Sequence, residues 1–334
     1  MPQKLPIIAI MKVLHFPIWL VAALICIGAY HAQCKPITLH RFDSDIQQLD
    51  FKDQTKIDGF ITSYKPVLTN FVSPLLQDST LSLTDKLETF ANLDNIKFFY
   101  ADVANAFPDV AGIAQELTAI DSLLSQKFAL KLPPIYTIIS PFNQSIVLLN
   151  DSAIGIALNH YLGASYKPYS YYPTYIRRFK TKEKIPYHVA EVWLKTQFPY
   201  VPSDSSLIEQ MLYEGAIAYA AKSVIPDFSD AMYFSFAPEQ QEWIVQNENV
   251  AWQKISGDGM LPSTEPAIRR SLLNPAPFAS TISPSAPGGT GKWIGMRIVE
   301  AYLAREKSSI ADFLRNRTYQ NAKTVLTESQ YGKQ

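Results

Sequence analysis

Two adjacent prolines, Pro133-Pro134, constrain this chain more than any other feature. Neither offers a backbone N–H, and the residue before each is pushed out of the helical region, so no helix runs through them. On their N-terminal side, from about 51 to 130, apolar residues recur at three- and four-residue spacing. Asp85-Lys86-Leu87-Glu88-Thr89-Phe90 and Val110 to Phe128 carry that pattern, with Asp109 placed to cap the second helix. On their C-terminal side, Ile135-Tyr136-Thr137-Ile138-Ile139 and Ser145-Ile146-Val147-Leu148-Leu149 read as two strands. Pro141-Phe142-Asn143-Gln144 makes the turn between them. Residues 35–50 alternate around Ile37, Leu39 and Phe42, which predicts a short strand or extended lead-in. Residues 151–162 are again small and apolar. Helices are predicted over 185–198, 207–224 and 238–255, and from near Trp293 and near Ser309. Residues 262–291 hold six prolines and three glycines and read as a long loop. The pattern predicts an α+β fold, mainly helical, with a small β-sheet. A single domain is expected over 34–334, with a helical N-terminal region (35–132) and a core (133–334).

Composition narrows the function class. Thirty basic residues balance thirty acidic ones in 334, which gives no basic excess for nucleic acid. Hydrophobic residues at 47% against 18% charged describe a globular chain, not a disordered one. The only cysteines are Cys26 and Cys34, so a disulfide framework or a cysteine metal site in the folded body is excluded. Lys4 and Lys12 precede an apolar run from Ile18 to Ala29, a charged n-region followed by an h-region too short to span a bilayer. Residues 1–33 are therefore expected to be an export signal. Cys34 stands where a bacterial lipoprotein cysteine stands, although His31 and Gln33 fill the positions that normally hold Leu and a small residue. Cleavage after Ala32, giving a soluble periplasmic protein, is the competing reading. Removing the signal leaves 28 basic against 30 acidic residues.

Catalytic motifs are near misses. G-x-S-x-G and S-x-x-K are absent. Gly289-Thr290-Gly291-Lys292 resembles the tail of a phosphate loop, but Ala286 replaces its first Gly and Trp293 its Ser or Thr. His188, Glu191 and Lys195 share a helix face at i, i+3 and i+7. A zinc-peptidase helix needs two His one turn apart, as H-E-x-x-H or H-x-x-E-H. Here Val192 takes the place of the second His in the inverted pattern, and Ala190-Glu191-Val192-Trp193-Leu194 keeps only the Glu of the direct one. This face reads as solvated and polar. Glu214 lies on a helix that is apolar nearly all round, so it must be partly buried and partnered, with Arg177, Arg178, Lys222 and Arg297 as candidates. Six tyrosines between Tyr161 and Tyr175 fit either a packed irregular loop, the favoured reading, or a sugar- or peptide-binding platform through Tyr171 and Tyr172.

Several blocks, in order along the chain, resemble the gliding-motility lipoprotein GldB family of Bacteroidetes. They are His40-Arg41-Phe42-Asp43; Ala157-Leu158-Asn159-His160-Tyr161-Leu162-Gly163; Tyr175-Ile176-Arg177-Arg178; Glu214-Gly215 through Tyr219 to Pro226-Asp227; Gln240-Gln241-Glu242-Trp243 with Asn247-Glu248 and Trp252; Pro287 to Gly295 running into Ile298-Val299; and Leu326 to Tyr331. His160 departs from the family pattern, which has Asp there. The resemblance implies a zincin-like core in which Glu214-Gly215-Ala216-Ile217-Ala218 occupies the place of the third zinc ligand while the two zinc histidines are missing. It therefore implies no catalytic residues, no metal and no cofactor, with His188, Glu191 and Glu214 as vestiges of a metal site and Cys34 as the lipidation site. The expected role is a non-enzymatic envelope lipoprotein that supports gliding motility and the linked protein secretion by contacting proteins of that machinery. Two other readings stand beside it: a zinc peptidase with an unusual ligand set (His160, His188, Glu214), and an envelope carbohydrate- or peptide-binding module.

Overall fold

The computed structural model describes residues 35–333, so the export segment and Cys34 lie outside the described residues. Four short strands form one sheet: β1 (Leu39–His40), β2 (Ile135–Ile138), β3 (Ile146–Leu148) and β4 (Ile154–Ala157). Their order is β1-β2-β4-β3; β1, β2 and β4 run parallel, and β3 is antiparallel to β4. Every residue of β2 and β4 is buried, as expected of central strands covered on both faces. β3 is an edge strand, and Leu148 on it is exposed.

The predicted turn at Pro141–Gln144 joins β2 and β3, but these strands do not pair with each other. Between them lies β4, which sequence pattern did not reveal. Its Ile154-Gly155-Ile156-Ala157 is a four-residue run of small and apolar types, too short for any periodicity to show.

The helices of six or more residues are α1 (Gln54–Ser63), α2 (Leu83–Asn92), α3 (Asp94–Ala106), α4 (Ala111–Phe128), α5 (Ile185–Gln197), α6 (Leu207–Val224), α7 (Pro238–Gln246), α8 (Glu248–Gly257), α9 (Pro266–Leu273), α10 (Thr290–Glu306), α11 (Ile310–Arg315) and α12 (Ala322–Ser329). Their starts follow the chemistry of the sequence. Ser82 and Asp85 form a capping box on α2, and Ser206 caps α6. Asp109 accepts the amide of Ala111 at 3.1 Å, one residue outside its predicted cap position. The single helix expected over 238–255 is two. Asn247 ends α7 by donating its side-chain amide to the Trp243 carbonyl at 2.9 Å. The proline-rich 262–291 segment is not all loop, since α9 forms within it. Among the described residues no helix is long and apolar enough to cross a membrane.

The core centres on α6, which is buried on every face but a narrow strip. It crosses α10 with the two backbones in contact. A Cβ added at Gly215 would lie 2.1 Å from the carbonyl carbon of Gly295, and one added at Gly295 would lie 1.9 Å from the Met211 carbonyl oxygen. Only glycine at both positions permits that approach. The crossing fixes the neighbours of these glycines, Glu214 on α6 and Lys292 one turn earlier on α10.

Candidate functional site

The side chains that face this crossing form a closed ring of charges. Lys195 Nζ sits 3.2 Å from Glu191 Oε1 and 2.9 Å from Glu214 Oε2. Lys292 Nζ sits 2.6 Å from the same Glu191 oxygen and 3.5 Å from the same Glu214 oxygen. Three elements supply the four groups: Glu191 and Lys195 come from α5, Glu214 from α6 and Lys292 from α10. Glu191 and Lys195 are one helical turn apart, the i, i+4 spacing at which opposite charges pair on a helix face.

The predicted face of α5 is real, but it is half-buried rather than solvated. Glu214 is partnered by Lys195 and Lys292, not by the four candidates named from sequence. Lys222 bonds Glu300 at 3.1 Å, Arg297 bonds Glu248 at 3.1 Å, and Arg178 donates to Gln240 at 2.9 Å. The polar contacts of Arg177 include Thr174 at 3.0 Å and no carboxylate.

Burial alone would raise the Glu191 carboxyl, but the two ammonium groups outweigh it and hold Glu191 well below the usual carboxylate range. Burial works against the charged forms of Lys195 and Lys292 too, and the facing carboxylates more than compensate, so both are raised. All three groups are therefore firmly ionised. Lys292 also lies over the Tyr233 ring, 4.8 Å from its centroid.

The two histidines of the region are spent elsewhere. His160 Nε2 lies 2.7 Å from the Phe142 carbonyl, which can only accept, so that nitrogen carries the proton. Its Nδ1 then accepts from Lys180 at 3.0 Å. His188 Nδ1 lies 2.8 Å from the Tyr161 hydroxyl, and its ring stacks on Phe179. Burial pushes both imidazoles down to about 4, with Lys180 adding to the effect at each. Burial also pushes Lys180 and Lys184 down to about 8.

A metal does not fit these residues. Among the described residues no three His, Cys, Asp or Glu side chains come together as ligands would. His160, His188 and Glu214 do not assemble into a ligand set, and the carboxylates a cation would need already hold two lysine ammonium groups.

Two openings flank the ring and share Glu191. One, of 310 Å³, is walled by Tyr200, Tyr213 and Tyr233, by Lys195, Glu214 and Lys292, and by Gly288-Gly289. The other, of 540 Å³, runs between residues 144–148 of the β3 edge and His188, Glu191 and Val192 of α5. The tyrosine-dense stretch lies apart from the first opening and is largely structural. Tyr166 bonds Asp102, Tyr169 bonds the Asn159 carbonyl, and Tyr172 donates to Asn143 at 2.6 Å. Tyr171 alone of the six stands out into solvent, 73% exposed.

One member of the ring, Lys292, was missed from sequence. Lys292 lies in the Gly289–Lys292 run that sequence offers only as a phosphate-loop fragment, and nothing local ties it to Glu191. Glu209 is buried as well, and its carboxylate accepts the amides of Ser203, Asp204 and Ser205 at 2.7 to 2.9 Å, which pins the loop that starts α6.

A family model described as gliding motility protein GldB matches residues 30–333. The chain belongs to that family. No curated protein and no solved structure matches it. The blocks that carry the family resemblance interlock in space. Asp43 pairs with Arg41 and bonds Thr137 of β2, while Arg41 donates to the Phe107 carbonyl at 3.1 Å. Asn159 makes two bonds with the backbone of Ser140. Gln240 joins Arg178 to the Pro277 carbonyl. Tyr331 packs edge-on against Trp252 and donates to Glu248 at 2.7 Å, where Arg297 also bonds. The blocks are thus largely the joints of the fold, and the glycines at 215 and 295 are its helix crossing.

Proposed function

We propose that this chain serves gliding motility as an exported envelope protein that works through contacts with other proteins and hydrolyses nothing. The observation that carries the reading is the lysine–glutamate ring. Glu191 and Glu214 are each paired with both Lys195 and Lys292, so the charge of the site is neutralised internally. Carboxylates already bound to lysine ammonium groups are poorly placed to hold a metal that would polarise a peptide carbonyl, and Glu191, held ionised by two cations, is a poor proton acceptor near neutral pH. Anchoring through acylated Cys34 would keep the protein at a membrane beside the motility and secretion machinery. A gene deletion in the host tests the role. Loss of surface spreading, restored by the intact gene, is expected, together with no cleavage of a peptide pool by the purified chain with or without added zinc. Unaltered spreading in the deletion strain, or zinc-dependent cleavage, overturns the proposal.

A further inference from the structure

The sheet has a polarity that sets which end of the fold lies next to its first residues. β1, β2 and β4 run parallel, and Leu39 pairs with Ile135, so the residues leading into β1 lie beside those leading into β2. Both lead-ins are tied to one stretch of α4. Ile37 donates its amide to Thr118 at 2.9 Å, and Leu132 donates its amide to Asp121 at 2.6 Å. Cys34 stands three residues before Ile37, a reach of at most about 11 Å. Acylation of Cys34 would therefore hold this end of the fold close to a bilayer.

The charge on this end is one-sided. Lys127 lies in the last turn of α4 and Lys131 in the loop that follows; both are exposed, and among the described residues neither pairs with a carboxylate. Arg315 of α11 reaches the same place and donates to the Phe128 carbonyl at 2.6 Å, with exposed Arg317 two residues on. Residues 122–150 contain two lysines and no acid, and residues 313–327 contain three basic residues and no acid. Two acids share this end. Asp121 is half-buried and spent on the Leu132 amide, and Asp312 lies 3.8 Å from Arg315. The chain after residue 33 has no such excess, with 28 basic against 30 acidic residues.

The same surface carries no apolar wedge. Among the described residues, no exposed large apolar side chain falls within 111–135 or 310–323. Phe142 and Tyr171, 49% and 73% exposed, instead follow the far ends of β2 and β4, where Tyr172 donates to Asn143. Cations without a wedge suit the plane of anionic headgroups, not the acyl interior. Salt confines their attraction to about 8 Å, so a tether as short as that from Cys34 is what brings them into range. Each lysine or arginine at an anionic surface changes affinity about fivefold. Several of them together orient a protein that an acyl anchor alone would leave free to swing.

We propose that the end of the fold formed by the C-terminus of α4 and by α11 rests on the anionic lipid headgroups of the membrane, which turns Phe142 and Tyr171 away from it. This rests on the reading of the chain as a lipid-anchored envelope protein and names the surface that faces the lipid.

The test uses the protein purified from its host, in vesicles of phosphatidylcholine with or without phosphatidylglycerol. Residues 35–334 hold no cysteine, so Gln126→Cys beside Lys127 and Tyr171→Cys at the far end each take one fluorescent label. Nitroxide-bearing lipid headgroups quench a label that lies near them. On anionic vesicles the label at 126 is expected to be quenched about fivefold more than the label at 171. Lys127→Gln with Lys131→Gln is expected to collapse that ratio, as is the omission of phosphatidylglycerol. Lys167→Gln with Lys182→Gln, two exposed lysines in and beside the tyrosine stretch, removes the same charge and is expected to leave the ratio unaltered. Equal quenching of the two labels on anionic vesicles, including none at all, or a ratio that survives the loss of Lys127 and Lys131, overturns the proposal. Mass spectrometry of the N-terminal peptide of the same samples reads the anchor separately. An unmodified Cys34 overturns the anchor, whereas an acylated Cys34 with equal quenching overturns the lysine face alone.

Discussion

Replacing Lys292 by Met removes one cation from the ring and leaves Lys195 to serve two carboxylates. Breaking a fully buried ion pair costs about 3–5 kcal/mol because the remaining charge is stranded. Lys292 and Glu191 keep 13% and 22% of their side-chain surface in solvent, which reduces that figure. The loss is also capped, because the variant escapes by taking up a proton. Protonating one carboxyl of ordinary pKa 4.5 at pH 7 costs about 3 kcal/mol. The variant is therefore expected to lose about 2–3 kcal/mol at pH 7.

The pH dependence gives the sharper test. The folded pKa of Glu191 is depressed, so the stability it contributes is present above 4.5 and is lost as pH falls through its lower folded value. In the variant, one carboxyl shifts upward instead, so the folded variant gains protons as pH falls from 7 toward 4.5. The stability gap between the two proteins should therefore narrow over that interval, to about 1 kcal/mol or less. Urea midpoints of both proteins at pH 7 and pH 5, with unchanged slopes, measure the gap. A gap that is negligible at pH 7, or equal at both pH values, refutes the ring as the source of stability.

Gly215→Ala or Gly295→Ala drives a methyl into the facing backbone, where no side chain can yield, and should cost about 3 kcal/mol or prevent folding; thermal melts of each variant measure it. His160 and His188, held near 4 against an ordinary 6.5, stay neutral in the folded protein while the unfolded chain charges. Stability should thus fall as pH drops from 6.5 toward 4, and His160→Gln should flatten that fall in a series of urea melts. Cys34→Ala should move the protein from the membrane to the soluble fraction, read by immunoblot of fractionated cells; an unaltered distribution rules out Cys34 as the anchor.

Much of the framework was legible because its elements are long or bounded by strong signals. Pro133-Pro134 separates helices from strands as expected, and α5 and α6 begin and end within a residue or so of the predicted spans. What pattern could not give was β4, a four-residue run whose strand character comes only from β2 and β3 on either side. Nor could it give the break at Asn247, which depends on one side-chain bond. The site was legible in pieces. His188, Glu191 and Lys195 were placed on one face, Glu214 was expected to be partly buried, and Lys292 was seen within a glycine-rich run. No local pattern ties Lys292 to Glu191, 101 positions away. That link exists because Gly215 and Gly295 let two backbones touch, a contact invisible in hydrophobic periodicity.

The most direct test of the central claim, that two lysines occupy the carboxylates a metal would need, is the zinc content of the purified chain, with Glu214→Ala as control. The ring predicts metal far below one ion per chain in both proteins, even after incubation with zinc. Near-stoichiometric zinc in the native chain, lost in Glu214→Ala, would contradict it.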